Sequence, residues 1–222
     1  MTDLCWSWLG RIPYAEALDR QRHRRAAVIS GERPEVLWLL EHDPVITTGR
    51  RGVPDLPSAE ALASKGIALH HTERGGLATY HGPGQLTAYA IVNCLSRGMG
   101  PKGAIHALEQ GVIDWLASMG VDSTRRPGFP GVWVGADKIC AVGMHFRLGV
   151  SMHGIAINLN TDLAPFELIT PCGITDGGIT SLARLRGTAP TPEDAAKRLG
   201  PLLIHNLQNP TCTLSRRSNQ PG

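Results

Sequence analysis

Arg74-Gly75-Gly76-Leu77-Ala78-Thr79-Tyr80-His81-Gly82-Pro83-Gly84-Gln85 is the stretch from which the rest of the chain is read. Its glycines let the backbone take positive φ and run close against something bulky, while Arg74, Thr79, Tyr80, His81 and Gln85 supply polar atoms to grip it. A hairpin needs far less polar functionality merely to turn the chain. Apolar, strand-like segments flank the run, Ile67-Ala68-Leu69 before it and Leu86 to Val92 after it, so it reads as the wall of a ligand site carried by a sheet. Its spacing fits neither a phosphate loop ending in Gly-Lys-Ser/Thr nor the dinucleotide fingerprint, which argues against a nucleotide held by either device.

Upstream, Pro13 opens a helix over Tyr14 to Val28 whose Arg20-Gln21-Arg22-His23-Arg24-Arg25 segment reads as a solvated basic face or a docking patch for an acidic partner. Glu35 to His42 is a buried strand, Val45 to Thr48 a short one, and Ser58 caps a helix closed by Gly66. Downstream, Ile105, Leu108, Val112, Trp115 and Met119 recur at helical spacing, so Gly103 to Met119 is a core-facing helix. Gly131 to Val134, Lys138 to Arg147 and Ser151 to Asn158 form an antiparallel meander on short turns. Thr191 caps a last helix with Pro192 at its first position, and Pro201 is expected to kink it. Strands before, between and after helices give an α+β sheet with helices packed against it. One domain is expected over residues 1–208, followed by a polar C-terminal tail over 209–222.

The totals exclude several classes. A net charge of +3, from 22 basic and 19 acidic residues without a long basic tract, does not support a nucleic-acid surface. No apolar run reaches the length of a membrane span and the N-terminus has no signal-like core, so a cytoplasmic protein is expected. Cys5, Cys94, Cys140, Cys172 and Cys212 are an odd, scattered set with no C-x-x-C pair, hence free thiols rather than a disulfide or zinc framework.

Which thiol does chemistry is the next question. Cys172 sits in Thr170-Pro171-Cys172-Gly173, where proline and glycine present it on a rigid loop. Lys138 opens a strand after a tight turn; a lysine near a cysteine stabilises the thiolate and, when desolvated, takes and gives a proton. The sequence alone does not bring the two together. Cys140, on the same strand face as Lys138, is the rival thiol, although Ile139, Ala141 and Val142 around it argue for a buried inert one. His81 and His153 are candidates either to orient a substrate carbonyl or to serve as structural donors. His70 and His71 point to opposite faces of a strand and cannot chelate together, so no metal site is expected.

The Arg74 to Gln85 run, Glu41-His42-Asp43-Pro44-Val45 with Thr48-Gly49-Arg50, Gly131-Val132-Trp133-Val134 with Lys138-Ile139-Cys140, and Pro171-Cys172-Gly173-Ile174 together resemble the octanoyltransferases of lipoate biosynthesis. The similarity runs in order from about Tyr14 to Leu182. It implies a sheet with helices packed around it as in biotin and lipoate protein ligases, and a pocket for a medium-length acyl chain. It further implies an acyltransferase in which Cys172 is the acyl-thioester nucleophile and Lys138 lowers its pKa. Arg74, Gly75, Gly76, Leu77, Ala78, Thr79, Tyr80 and His81, with Ala141, Val142, Gly143, Gly154, Ile155 and Ala156, would bind the acyl substrate. The implied donor is octanoyl-acyl carrier protein. The implied acceptors are lipoyl domains of 2-oxoacid dehydrogenase E2 subunits and the glycine cleavage H protein; no cofactor is called for, and a monomer is expected.

That chemistry is physically coherent. Exchange of one thioester for another is close to thermoneutral, and aminolysis of the second runs downhill to an amide, so no nucleotide is needed. The alternatives are an ATP-dependent lipoate or biotin ligase on the same fold, a cysteine hydrolase, and a non-catalytic protein that holds an acylated carrier.

Overall fold

The computed structural model describes residues 4–51, 56–169 and 177–209. Gln85-Leu86-Thr87-Ala88-Tyr89-Ala90-Ile91 shows how the architecture arises. As strand β6 (Gln85–Ile91) it is buried along its whole length, so both of its faces must be covered. Leu86, Ala88 and Ala90 enter the large apolar core, while Tyr89 and Ile91 pack on the other side with Ala17 and Leu40.

The main sheet is built around that strand. Strands β1 (Cys5–Ile12), β2 (Val36–His42), β7 (Thr124–Arg126), β8 (Phe129–Val134), β9 (Asp137–Arg147) and β10 (Val150–Asn158) join it in the order β1-β2-β6-β10-β9-β8-β7. β1 pairs parallel with β2 through helix α1 (Tyr14–Ile29), and every other pairing in this sheet is antiparallel. Helix α1 lies against β6 and β10. The opposite face is covered by α3 (Pro101–Ala117) and α5 (Pro192–Gln208), which also pack on one another. At α5 the expected cap is present: Thr191 Oγ1 accepts from the Asp194 amide at 3.2 Å. The helix spans Pro201, so a missing N–H within one turn does not end an element whose Leu199, Leu203 and Leu207 are all in the core.

A second sheet holds the glycine-rich run. Strand β3 (Val45–Thr48) lies between β4 (Ala68–His71), parallel and reached through α2 (Ala59–Ala63), and antiparallel β5 (Ala78–His81). Val45 packs with Tyr14, Leu18 and Met152, which seats this small sheet on the α1 side of the large one. A short helix, α4 (Leu182–Arg186), capped by Ser181, links the end of the site region to α5.

The meander of β8, β9 and β10 matches the sequence reading, and register places Gly143 opposite Gly154 and Ala141 opposite Ala156. Gly154 also faces Tyr89 of β6, and a Cβ there would overlap the carbonyl oxygen of Ala88. Gly154→Ala is therefore expected to lower stability by about 1–3 kcal/mol, the usual cost of overpacking. A guanidinium unfolding curve measures it, and an unchanged midpoint would contradict the close approach of β10 to β6.

Candidate active site

Between the small sheet, the start of α1 and strands β6, β9 and β10 lies a cavity of about 820 Å³, counting its open mouth. From the glycine-rich run, Arg74, Gly76, Leu77, Ala78, Thr79 and His81 line it. From the large sheet come Ala141, Val142, Gly143, Gly154, Ile155 and Ala156. These small and aliphatic residues make a channel suited to a hydrocarbon chain. Two residues expected to touch substrate stand outside that lining. Gly75 donates its N–H to the Met144 carbonyl at 3.0 Å, which ties the run to β9. Tyr80 turns away, its ring edge-on to Phe166 at 5.6 Å in the core of the small sheet.

Arg74 is 7% exposed and its guanidinium is bound to the strand beside it. Nη2 donates to the Thr47 carbonyl at 2.5 Å and to its hydroxyl at 2.9 Å, and Nε donates to the same hydroxyl at 3.2 Å. This arginine holds the loop to β3. The basic segment of α1 is likewise only partly a solvated face. Arg22 pairs with Glu73 beside the glycine-rich run (Nη2 to Oε2, 3.1 Å). Gln21 and Arg25 are buried, and Arg25 Nη1 donates to His145 Nδ1 at 2.7 Å. The docking-patch expectation thus narrows to Arg20, His23 and Arg24, with Arg24 lying over the Trp38 ring at 5.4 Å.

Histidines and tyrosines gather in the floor. His42 Nδ1 donates to the Ile12 carbonyl at 2.9 Å, which leaves Nε2 to accept from the Tyr89 hydroxyl at 2.7 Å. His81 Nδ1 donates to Gln85 Oε1 at 2.7 Å; the amide of Gln85 is oriented by its donation to the Tyr80 carbonyl and to Asn158 Oδ1, at 3.0 and 2.9 Å. Burial lowers the pKa of His42 to about 4 and of His153 to about 3, and pushes that of His81 well down, with His42 adding to the effect. All three are neutral at physiological pH.

Lys138, at the start of β9, is 7% exposed and fixed through backbone and side chain. Its N–H donates to Gly178 and its carbonyl accepts from Thr180, at 2.9 and 3.0 Å, so the arm 177–180 runs beside it as a one-residue parallel bridge to Ile179. Asn158 Nδ2 donates to the Thr180 carbonyl at 3.0 Å and locks that arm to β10. The ammonium stands over the Trp133 ring, 4.8 Å from its centroid, where the ring quadrupole attracts it. Gly131, at φ +134°, leaves the room for this: a Cβ there would lie 3.2 Å from Lys138 Cε.

Cys172 lies outside the described residues, in the segment 170–176 that the arm follows. The rival thiol is placed, however. Cys140 is fully buried, its Sγ donates to the Ala141 carbonyl at 3.5 Å, and burial pushes its pKa up, as befits an inert structural thiol. Cys94 is also buried, with its pKa raised to about 11. No group of His, Cys, Asp and Glu among the described residues is arranged to hold a metal ion.

Residues 13–201 match the lipoyl protein ligase A/B catalytic domain. The chain belongs to that family. Within it, the octanoyltransferase of Chloroflexus aurantiacus is 44% identical over 204 residues, covering 90% of this chain and 92% of the relative. That of Novosphingobium aromaticivorans is 45% identical over 188 residues, covering 82% of each. Membership with such relatives makes the chain an acyltransferase. Solved structures share its fold: the bipartite lipoate protein ligase of Thermoplasma acidophilum (TM-score 0.65, 18% identity, 94% of this chain and 83% of that one) and the biotin protein ligase of Aquifex aeolicus (0.55, 13%, 97% and 74%). The ligase-like sheet that the sequence implies is the fold found.

Several residues of this cavity and its surroundings escape a sequence reading. Tyr14, Thr87, Tyr89 and Asn158 line the cavity yet read as ordinary helix and strand positions, and Trp133 reads as core. Polar residues on the otherwise apolar strand β6 were the available signal, since a fully buried strand has no reason to carry Gln85 and Thr87 unless they face something.

The neutral histidines predict a pH effect. His42, His81 and His153 bind protons in the unfolded chain near the ordinary pKa of about 6.5 but resist them when folded. The unfolded state therefore holds more protons as pH falls below about 6.5, and stability drops with pH down to about 4, where His42 begins to charge in the fold. Unfolding midpoints at pH 7.5, 6, 5 and 4.5 should fall in that order, and His42→Asn should flatten the dependence; a midpoint constant across this range would contradict neutral burial.

Proposed function

We propose that this acyltransferase moves an octanoyl, or lipoyl, group from the thioester of acyl carrier protein to a lysine of a lipoyl domain, through a thioester on Cys172. In the first half-reaction the Cys172 thiolate attacks the donor carbonyl. The new C–S bond forms as the bond to phosphopantetheine sulfur breaks, and the departing thiolate takes a proton. In the second, a neutral lysine amine of the acceptor attacks the Cys172 thioester, the C–N bond forms, and the cysteine leaves as a thiolate while the nitrogen sheds a proton. Lys138 stabilises that thiolate as an ammonium and is the residue through which the protons pass. A backbone amide at Cys172 or Gly173 holds the oxyanion.

One observation carries this reading. Lys138 is fixed beside the arm that follows the Cys172 segment and lines the same cavity as residues of the glycine-rich run. The acceptors are lipoyl domains of 2-oxoacid dehydrogenase E2 subunits and the glycine cleavage H protein, the protein works as a monomer in the cytoplasm, and residues 1–208 act as one catalytic unit. No helix among the described residues is long and apolar enough to cross a membrane.

Intact-protein mass spectrometry tests the reading. Mixed with octanoyl-acyl carrier protein and no ATP, the wild type should gain one octanoyl group, and a lipoyl domain should discharge it. Cys172→Ser should gain none. Modification of the acceptor only when ATP and free octanoate are supplied would replace this mechanism with that of a ligase.

A further inference from the structure

Lys138 owes its place on the cavity wall to an irregularity in β9. Gly131 pairs with Ala141 and Val132 with Cys140, but Trp133 then pairs with Lys138 and Val134 with Asp137, so Ile139 has no partner on β8. Such a bulge turns the residues on either side of it to faces that a regular strand would not give them. Ile139 and Cys140, consecutive in sequence, both enter the large apolar core with Val132, whereas Lys138 lines the cavity. The common face that a regular strand would give Lys138 and Cys140 is broken, because the bulge lies between them.

Trp133, set opposite Lys138, is 1% exposed and its ring is held from several directions. Nε1 donates to the Phe129 carbonyl at 3.1 Å, the Phe129 ring stands edge-on to it at 6.4 Å, and Arg126 lies over both rings, 5.0 Å from the Trp133 centroid. Gly131 completes the arrangement. Its N–H donates to Glu109 Oε1 of α3 at 2.8 Å, and a Cβ on it would come within 2.5 Å of the Cys140 carbonyl oxygen and 3.3 Å of Lys138 Cδ. The indole and the backbone beside the bulge are thus fixed by contacts that do not need the lysine side chain. Holding a long lysine side chain in one rotamer is opposed by its conformational entropy, and the attraction of a buried indole face for a cation is of similar size.

We infer that Trp133 is the positioning residue of Lys138: the bulge sets the indole opposite the lysine, and the ring holds the ammonium at the cavity wall. Trp133 is not among the residues lining the cavity, so it acts through Lys138. The inference rests on the reading in which Lys138 serves Cys172.

Two readouts on the full chain separate the inference from that reading. In protein carrying carbon-13 lysine, where Lys65, Lys102 and Lys197 are the other residues of that type, the ε-methylene of Lys138 should stand upfield through the ring current of Trp133. Trp133→Met should abolish that displacement. The second readout is alkylation of Cys172 by iodoacetamide as a function of pH. Trp133→Met should raise its midpoint by about half a unit, and Trp133→Phe by less, because a phenyl face also attracts a cation but more weakly. In a Lys138→Met background, Trp133→Met should add nothing. An undisplaced lysine methylene in the wild type overturns the inference, as does a midpoint moved by Lys138→Met but not by Trp133→Met. So does a Trp133→Met effect of equal size with and without Lys138, the mark of a merely structural role. A displacement that depends on Trp133, with a midpoint that neither substitution moves, keeps the positioning and rejects the pairing of Lys138 with Cys172. Thermal melts establish folding, and the wild-type spectrum decides even if Trp133→Met does not fold.

Discussion

The hydrogen bonds that run from Gln85 through Asn158 to Thr180 hold three separate pieces of sequence in one place. Gln85 ends the glycine-rich run, Asn158 ends β10, and Thr180 belongs to the arm that follows residues 170–176. The same arm makes both backbone hydrogen bonds of Lys138. Remove the Asn158 amide and the wall of the channel, the lysine strand and the arm lose their common anchor. Such a network is worth more than surface polar contacts because it is buried and fully paired. In the low dielectric of this interior it also fixes tautomers: Gln85 must present its oxygen to His81, so His81 must donate from Nδ1.

Burial sets the chemistry as much as position does. The histidines of the floor are kept neutral by desolvation, so positive charge near the channel comes from Arg74 and Lys138, each held differently. Arg74 is bound to Thr47 and secures a loop. Lys138 lies on a tryptophan face, whose quadrupole attracts its ammonium.

Much of this was legible in the sequence because it depends on local pattern. The glycine-rich run, the helical spacing of Leu108, Val112 and Trp115, and the caps Ser58 and Thr191 each encode their element within a few residues. β1 was not legible: Trp6 and Trp8 alternate with exposed Cys5 and Ser7 over only four residues before the pattern is lost, and its strand character comes from parallel pairing with β2. β5 was hidden inside the run because Ala78, Thr79 and His81, three of its four residues, serve as strand and as channel wall together. The basic segment of α1 misled for a similar reason. The burial of Gln21 and Arg25 is decided by His153 and His145, more than a hundred residues away. Twelve-residue patterns carry no trace of such partners. The nucleophile itself rests on family resemblance, since Cys172 lies outside the described residues.

The pairing of Cys172 with Lys138 is the claim on which the account turns, and the pH dependence of thiol alkylation tests it most directly. Native protein is treated with iodoacetamide across pH 5 to 10 and the labelled cysteines are mapped, for the wild type and for Lys138→Met. The account predicts that Cys172 reacts first, with a midpoint below the ordinary value of about 8.5, and that loss of the lysine raises that midpoint by about one unit. Preferential labelling of exposed Cys5, or a Cys172 midpoint unmoved by Lys138→Met, would contradict it.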